Sequence, residues 1–417
     1  MLRVRDFLPL VILISFSLCR PGYSYSGGGI DTDPYQISWA EDWQILMGDP
    51  NNWDKHFVLT ADIDLGGIAL SPVGNSTTGF SGHLKGNGHC IENATINTPD
   101  EDYLGLFGHV VWNGSIQYLG LINIHMTGRS NVGGLVGSID SGGTILNCYA
   151  TGTVSGTSCV GGLVGSSGTS SIISSHANVS VNGYSEVGGL VGSIGSDFYS
   201  YIVHCYTTGS VSGFADVGGL IGMTWYGTVL DSYATGPVTG PQAGSHTLGG
   251  LIGEGAYSTI RHCYAVGSVG GSIDSYDLGS LIGCNYSTIH ECFWNSDTSG
   301  QSDGVGFGSE DGIYGRTTGQ MKQRATFIDY GWDFTGEEVN GIADIWRMCM
   351  DDVDYPKHNW QWSLQGDMTC PDGVALEDLA YLARHWLEYT NYSLDGADIT
   401  GDKVSNLLDF EVLAAYW

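Results

Sequence analysis

A six-residue pattern returns along the middle of the chain and constrains the fold more than any other feature. The first full unit opens with Val132-Gly133-Gly134-Leu135-Val136-Gly137. Equivalent units begin at Val160, Val187, Val217, Leu248 and, in weaker form, Leu278. The starts are 28, 27, 30, 31 and 30 residues apart, and residues 104–108 look like a degenerate leading copy. A unit this short cannot bury its own apolar face, so successive units must stack.

When the units are aligned, each position forms a column of residues, and several columns hold residues of one chemical type. One column alternates between Cys and Ser: Cys148, Ser175, Cys205, Ser232, Cys263 and Cys292. Three residues before it stand Ile145, Ile172, Ile202, Val229, Ile260 and Ile289, and six after it stand Val154, Val181, Val211, Val238 and Val269. Such branched side chains are typical of a stacked β interior. The position two before the Cys/Ser column accepts Leu, Arg and His alike, so we expect it to face outward.

These columns predict the fold class. The chain contains 65 Gly, and its repeat units lack a 3.6-residue apolar period. Both features exclude a helical solenoid, since each Gly in a helix costs about 0.5–1 kcal/mol relative to Ala. The recurrent Gly-Gly steps permit tight corners instead. We predict a mainly β protein, a right-handed β-solenoid with one coil per unit and coils about 4.8 Å apart.

Charge and an export signal limit the function. The 44 acidic residues against 14 basic ones give a net charge of −30. This charge argues against a nucleic-acid or anionic-membrane partner, because phosphate binding needs clustered Lys and Arg. Residues 1–24 are typical of a signal peptide, with Arg3 and Arg5 before a short apolar run. No later segment resembles a transmembrane span, so we expect a secreted or cell-surface protein.

The chain has ten Cys, and nine remain if Cys19 leaves with the signal peptide, so at least one thiol stays unpaired. One coil per unit puts Cys148 and Cys205 two coils apart, about 9.6 Å. That exceeds the limit of about 7 Å between the Cα atoms of a disulfide, so we predict no bond between them. Cys263 and Cys292 are one coil apart and within reach of each other.

The repeat units resemble the GLUG motif, which occurs in bacterial secreted and surface proteins, some of them large adhesins and peptidases. The matching residues are the Val-Gly-Gly-Leu-Val/Ile-Gly starts and the echoes of Asn147-Cys148-Tyr149-Ala150-Thr151-Gly152. The resemblance covers residues 104–300 and implies no reaction. Residues 28–103 are then an N-terminal β lead-in or cap, and residues 301–365 a C-terminal cap and linker with a short helix around Met321. We expect aromatic residues of the latter segment to cover the open end of the solenoid: Trp332, Phe334, Trp346, Trp360 and Trp362.

Residues 366–417 contain a second, duplicated pattern in which Asp367 corresponds to Asp398 at an offset of 31 residues. Each copy is a polar loop followed by an apolar-periodic helix, and the loop has the ligand spacing of a calcium loop. In the second copy the ligands are Asp398, Thr400, Asp402, the carbonyl of Val404, Asn406 and Asp409. In the first copy they are Asp367, Thr369 and Asp378.

This loop-helix pair resembles a type I dockerin, the module that docks secreted polysaccharide-degrading enzymes onto cohesins. The resemblance implies a small α-helical domain that takes calcium and binds a cohesin-like protein or a cell-surface component. The sequence departs from the pattern at Pro371, a ligand position, and at Lys403, where a turn Gly is usual. The first departure removes a ligand, so we expect the second loop to bind more strongly. The alternative is an acidic helical hairpin without metal.

One polar column is the candidate for chemistry. The residues just before the Cys/Ser column include His204, Asp231, His262 and Glu291, which stacking would align as an acid/base or metal row. A solvated corner that tolerates any polar residue explains the column equally, and we favour it because repetition alone does not imply chemistry. Residues 132–300 hold one basic residue, Arg261, whereas polysaccharide lyases on β-helices rely on Arg or Lys.

An aromatic column directly follows the Cys/Ser column: Tyr149, His176, Tyr206, Tyr233, Tyr264 and Phe293. If exposed, these rings could stack on sugars. If buried, they are solenoid core, which we favour because stacked units must bury large apolar groups.

Two functions from different classes remain. The first, which we favour, is a secreted or cell-surface non-catalytic repeat protein: an adhesion, scaffold or glycan-binding solenoid with a calcium-dependent docking module. The second is a carbohydrate-active enzyme, a polysaccharide lyase or glycoside hydrolase, docked through the same module. Binding to polysaccharide without release of reducing sugar would support the first.

Overall fold

Each repeat unit forms one coil of a parallel β-solenoid. The unit starts pair directly along the series Val132, Val160, Val187, Val217, Leu248 and Leu278. The degenerate copy joins the series, since Leu104 bridges to Val132. The prediction of a mainly β solenoid with one coil per unit is therefore confirmed. The computed structural model describes residues 25–337, 339–349 and 352–363, without the side chains of 196–199 and 362–363.

The described strands form three long parallel sheets, which we call the first sheet, the glycine sheet and the tyrosine sheet. The first sheet comprises Tyr35–Ile37, His56–Leu59, His83–Lys85, Phe107–Val110, Ser115–Gln117, Val136–Ile139, Gly143–Leu146, Val164–Ser167, Ser170–Ile173, Val191–Val203, Ile221–Leu230, Ile252–Arg261, Ile282–His290 and Val305–Gly308. The glycine sheet comprises Ser130–Gly133, Ser158–Gly161, Ser185–Gly188, Ala215–Gly218, His246–Gly249 and Tyr276–Gly279. The tyrosine sheet comprises Ile63–Asp64, Cys90–Glu92, Thr95–Asn97, Gly120–Thr127, Tyr149–Ser155, His176–Asn182, Tyr206–Thr207, Val211–Ser212, Tyr233–Ala234, Val238–Gly240, Tyr264–Ala265, Val269–Gly271, Cys292–Asn295 and Ile313–Arg316.

The branched columns predicted from the sequence line the interior. Ile145 pairs with Ile172, and Val154 pairs with Val181, in the register that the repeat implies. Every member of both columns is buried in one continuous apolar core. Burying each such side chain contributes about 1.5–3 kcal/mol relative to leaving it exposed. The position two before the Cys/Ser column is half-buried or exposed in each unit, as expected.

Backbone contacts explain the glycines of the repeat. A Cβ on Gly218 would collide with the carbonyl oxygen of Ile221, and one on Gly219 with the carbonyl oxygen of Gly250. A Cβ on Gly222 would collide with the backbone nitrogen of Val187, where the glycine sheet of the previous coil lies directly on the first sheet. The glycines of the repeat are therefore a packing requirement and carry no chemistry of their own.

The Cys/Ser column points inward, and its cysteines are free. Cys148, Cys205, Cys263 and Cys292 are buried and unbonded to one another. The absence of a Cys148–Cys205 bond agrees with the prediction, and the two neighbours within reach, Cys263 and Cys292, are likewise free. The serines of the column bind the backbone: the Cys205 amide donates to the Ser232 hydroxyl at 3.0 Å.

The residues before the repeats extend the solenoid toward the N-terminus. A helix spans Ala40–Gly48 and a 3₁₀ turn Pro50–Asn52. Trp43 of the helix is fully buried and lies edge-on to Phe107, with ring centroids 5.8 Å apart. The strands His56–Leu59 and Ile63–Asp64 belong to different sheets, because the coil turns a corner between them.

After the last coil, the described residues between 317 and 363 lie along the outer face of the tyrosine sheet, and we call them the strap. The strap contains the helices Thr318–Met321, Arg324–Ile328 and Trp360–Ser363 and the antiparallel strands Trp346–Arg347 and Lys357–His358. Its aromatic rings contact successive coils: Phe327 lies 5.0 Å from Phe293, and Trp360 lies 6.0 Å from His176. The strap aromatics therefore pack along the side of the solenoid rather than over its open end, which corrects the expectation from sequence.

Candidate functional site

The four polar residues proposed as a chemical row occupy one corner on successive coils. His204, Asp231, His262 and Glu291 each have a positive φ, between 46° and 54°, where the coil turns from the first sheet to the tyrosine sheet. A left-handed backbone costs a residue with a side chain about 1–2 kcal/mol, so the fold imposes this corner. The structure thus brings the four residues into one line, as the sequence analysis expected.

The strap covers this corner, so it is not the solvated corner that we favoured from sequence. The indole N–H of Trp346 donates to Oδ1 of Asp231 at 3.2 Å. The Nε2–H of His358 donates to the carbonyl oxygen of Asp231 at 2.7 Å. Further along the column, the indole of Trp332 donates to the carbonyl oxygen of Glu291 at 3.0 Å.

Two histidines of the corner flank the single carboxylate of Asp231. His262 Nδ1 lies 3.5 Å from Oδ1 of Asp231, and its Nε2 accepts from Arg261 Nε at 3.3 Å. This arrangement fits a neutral His262 whose proton is on Nδ1. His204 Nε2 lies 4.0 Å from Oδ2 of Asp231. Burial lowers the pKa of His204, and the nearby carboxylate opposes this effect.

His358 of the strap brings a third imidazole ring to the corner. Because its Nε2 donates to Asp231, its Nδ1 is an acceptor, and this atom is buried without a hydrogen-bond partner. Burial, with His204 nearby, holds the pKa of His358 well below its usual range. The ring is therefore neutral and serves as a donor that fixes the strap.

The corner is closed to substrate. The side chains of His204, Asp231 and His262 are 17%, 13% and 10% exposed. Across the described ranges, no group of three His, Cys, Asp or Glu side chains is placed to hold a metal ion. What the arrangement does is anchor the strap, by hydrogen bonds to one side chain and two backbone carbonyls of the solenoid.

The aromatic column lies on the outer face of the tyrosine sheet and forms a stacked ladder. Ring centroids are 4.5–5.1 Å apart in the order Tyr149, His176, Tyr206, Tyr233 and Tyr264. The strap buries the later rings in a second apolar cluster, separate from the solenoid core: Tyr233, Tyr264, Phe293, Met321, Phe327, Trp332, Phe334, Trp346 and Met348. The interpretation of this column as solenoid core is therefore wrong. The later rings are buried, but in a separate core between the solenoid and the strap.

A different set of aromatic residues is exposed, on the outer side of the first sheet. We call Trp225, Tyr226, Tyr257, Tyr286 and Phe307 the aromatic rim. Trp225, Tyr257, Tyr286 and Phe307 are 38%, 62%, 57% and 53% exposed. Tyr226 stacks on Tyr257 with centroids 5.3 Å apart, and Tyr286 meets Phe307 at 6.1 Å. Neighbouring coils thus present two aromatic clusters to solvent on this side, one of Trp225, Tyr226 and Tyr257 and one of Tyr286 and Phe307.

Sequence reasoning missed the rim, although a signal was present. Three residues before the Ile/Val column the successive units hold Gly142, Thr169, Tyr199, Tyr226, Tyr257 and Tyr286. The column changes from small or polar to aromatic partway along the array. The interior Ile/Val columns keep branched apolar side chains throughout, so this change indicates an outer surface with a role of its own.

A cleft of about 600 Å³ lies on the same side of the first sheet, in earlier coils. We call it the hydroxyl cleft, and its lining includes Ser138, Asp140, Ser141, Ser166, Thr169 and Gly195. The Asp140 carboxylate lies 2.8 Å from Nε2 of His109. Hydroxyl groups both donate and accept, so this lining suits a ligand rich in hydroxyls.

The predicted calcium ligands, from Asp367 to Asp409, lie outside the described residues, as does the predicted signal peptide. Both stay predictions. Among the helices of the described residues, none has the length and apolar character needed to cross a membrane.

Comparisons with known proteins agree with the repeat. Residues 128–155 match the family model described as the GLUG motif. Halomucin of Haloquadratum walsbyi is 36% identical over 160 residues, which is 36% of this chain and 2% of halomucin. A protein of Evansella cellulosilytica, described as a candidate Gly-rich membrane protein, is 34% identical over 113 residues, which is 25% of this chain and 13% of that protein. The matched region thus spans a small part of either relative.

A crystal structure from Bacteroides ovatus, described as that of a candidate immunoglobulin A1 protease, resembles this fold with a TM-score of 0.55. The match covers 80% of this chain and 94% of that one at 23% identity, which is a likeness of fold alone. The chain is thus a parallel β-solenoid that carries the GLUG motif within its repeats.

Proposed function

We propose that the protein is a secreted or cell-surface, non-catalytic repeat protein that binds polysaccharide through the aromatic rim. The observation that carries the proposal is exposure: Tyr257, Tyr286 and Phe307 each leave more than half of their surface to solvent on neighbouring coils. Contiguous exposed aromatic surface marks interaction sites. Sugar rings have apolar faces that pack on aromatic side chains, which pair an apolar body with a polar edge.

The covered corner supports the non-catalytic alternative over the enzyme. Its carboxylate, Asp231, already accepts a hydrogen bond from Trp346, and His358 is bound to the adjacent carbonyl. A substrate would have to displace both strap residues to reach the row that a hydrolase or lyase would use. The rim itself offers no acid/base pair, since its members are aromatic.

In this proposal residues 366–417 act as a calcium-dependent docking module, with Asp398, Asp402 and Asp409 as principal ligands. A cohesin-like protein or another cell-surface component is the proposed partner. This part rests on the sequence resemblance. A surface location is supported by the signal-peptide pattern of residues 1–24 and is in keeping with the relative described as a membrane protein.

A glycan array combined with a reducing-sugar assay tests the proposal. The paired substitution Tyr257→Ala with Tyr286→Ala should lower affinity about 10- to 100-fold, because each aromatic contact contributes about 0.5–1.5 kcal/mol. Tyr276→Ala is the matched control, because Tyr276 is 54% exposed and stacks on His246 at the glycine sheet, away from the rim.

The control variant should bind like the unaltered protein. Full binding by the rim variant would remove the proposed site. Release of reducing sugar by the unaltered protein would instead support the carbohydrate-active enzyme.

A further inference from the structure

We infer that the ligand of the aromatic rim is a linear, uncharged polysaccharide that lies parallel to the solenoid axis and extends into the hydroxyl cleft. This inference rests on the proposed function. It adds to that function the direction, the length and the charge of the ligand.

The cleft and the rim lie on one line of residues. Gly195, at the edge of the cleft, pairs with Trp225 of the rim. Trp225 pairs with Ala256, and Ala256 pairs with Tyr286. Because paired positions of parallel strands lie side by side on the same face, the cleft leads into the rim without crossing a corner of the solenoid.

The line is long enough for an oligosaccharide. The position of Ser138 recurs on successive coils at Ser166, Ser193, Met223, Glu254, Cys284 and Phe307. Six steps of about 4.8 Å give a surface of about 29 Å along the axis. A ligand that uses both ends must therefore be an extended chain, because a single sugar reaches only one end.

The kind of side chain changes along this line of residues, and both kinds suit an extended polysaccharide. The rim presents aromatic rings for the apolar faces of sugars, and the cleft presents the hydroxyls of Ser141 and Thr169 for their polar edges. Gly195 itself adds no side chain to this line, and a Cβ placed there would meet nothing within 4 Å.

The charge of this side excludes a polyanion. The sequence has no Lys or Arg between Arg129 and Arg261, or between Arg261 and Arg316. Arg129 is paired with Asp102 at 2.6 Å, and Arg261 donates to His262 at the strap corner. Asp140 lines the cleft and Glu254 lies on the line itself. A chain of uronic acids or sulfated sugars would be repelled, whereas a neutral chain would not.

Calorimetric titration of the full chain with neutral oligosaccharides of increasing length tests the inference. Cello-, xylo- and manno-oligosaccharides from disaccharide to hexasaccharide identify the neutral series that binds, and an oligogalacturonate hexasaccharide provides the charged comparison. Affinity should rise with length up to the hexasaccharide. The charged hexasaccharide should bind at least about tenfold more weakly than the neutral one.

A cleft variant locates the far end of the ligand. Ser141→Ala with Thr169→Val should lower hexasaccharide affinity about tenfold and leave disaccharide affinity unchanged. Ser180→Ala with Thr208→Val is the control, since both of these residues are exposed at the tyrosine sheet, away from the cleft.

The possible outcomes distinguish a failure of the axial placement from a failure of the proposed function. If disaccharide and hexasaccharide bind equally and the cleft variant has no effect, the axial placement is wrong although the rim still binds sugar. If the charged hexasaccharide binds as tightly as the neutral one, the exclusion of polyanions is wrong. If no oligosaccharide binds, the proposed function itself fails.

Discussion

Acidification is expected to release the strap before the solenoid unfolds. Three histidines lie at the contact between strap and solenoid: His176, His204 and His358. Burial lowers the pKa of each, to about 4 for His176. Each therefore binds a proton more weakly when the strap is docked than when the ring is in water, so protonation favours release.

The sign and the pH window follow from these shifts. The stability contributed by the neutral rings is fully present above the ordinary histidine pKa of about 6.5 and is lost progressively as the pH falls toward about 4. For His176 alone, a change in pKa from about 6.5 to about 4 costs about 2 kcal/mol of docking free energy at about pH 5. This is an upper figure, since the Tyr149–His176 stack persists without the strap. His204 and His358 act with the same sign.

A carboxylate elsewhere acts in the opposite direction. Burial, with Glu254 nearby, raises the pKa of Asp216 to about 6. Its contribution to stability is present at low pH and is lost as the pH rises through about 6. Asp216 lies on the glycine sheet, away from the strap, so a global unfolding curve would mix the two effects. The assay must therefore report on the strap separately.

Hydrogen exchange followed by mass spectrometry provides that local readout. With intrinsic exchange rates corrected, strap peptides should lose protection between about pH 7 and about pH 5, while peptides of the coils keep theirs. His176→Gln with His358→Gln should flatten this dependence, because neither amide can be protonated in this range. Strap protection that is unchanged at about pH 5, or loss of protection in the coils first, would refute the reasoning.

Three further predictions concern the repeat, the anchor and the calcium loops. Gly222→Ala should lower the free energy of unfolding by about 3 kcal/mol or more, because the new Cβ collides with backbone atoms that cannot move aside. The control Gly195→Ala should change the free energy of unfolding little, since its Cβ meets nothing within 4 Å. Thermal denaturation of the two variants measures this difference. Trp346→Phe should weaken strap docking by about 1.5–3 kcal/mol through loss of a hydrogen bond to a carboxylate, measured by the same hydrogen exchange. Calcium titration of the full chain should show binding that Asp398→Ala weakens more than Asp367→Ala does, and the absence of any binding heat would remove the calcium assignment.

The interior of this protein was predictable because a solenoid repeats each contact at a fixed offset. Ile145 and Ile172 pair directly because they hold the same place in successive units. The outer faces were harder to predict, because the left-handed corner residue interrupts the alternation of inward and outward side chains along the strand. After Asn147, with φ 50°, Cys148 turns inward and Tyr149 outward, so a column that suggested core lies outside the coil.

The strap could not be predicted from the repeat. It does not share the repeat pattern, and its anchor joins Asp231 to Trp346, residues 115 positions apart in the chain. The four corner residues were identified correctly as a line. Their burial depends on a segment whose docking only the folded structure reveals.

A crystal structure of the protein with a bound neutral hexasaccharide would locate the sugar chain directly on the solenoid. We expect sugar rings packed against Trp225, Tyr257 and Tyr286, with the sugar chain continuing along the solenoid axis past Gly195 toward the hydroxyl cleft. A hexasaccharide bound across the coils, over the strap or at the covered corner of Asp231 would contradict this placement.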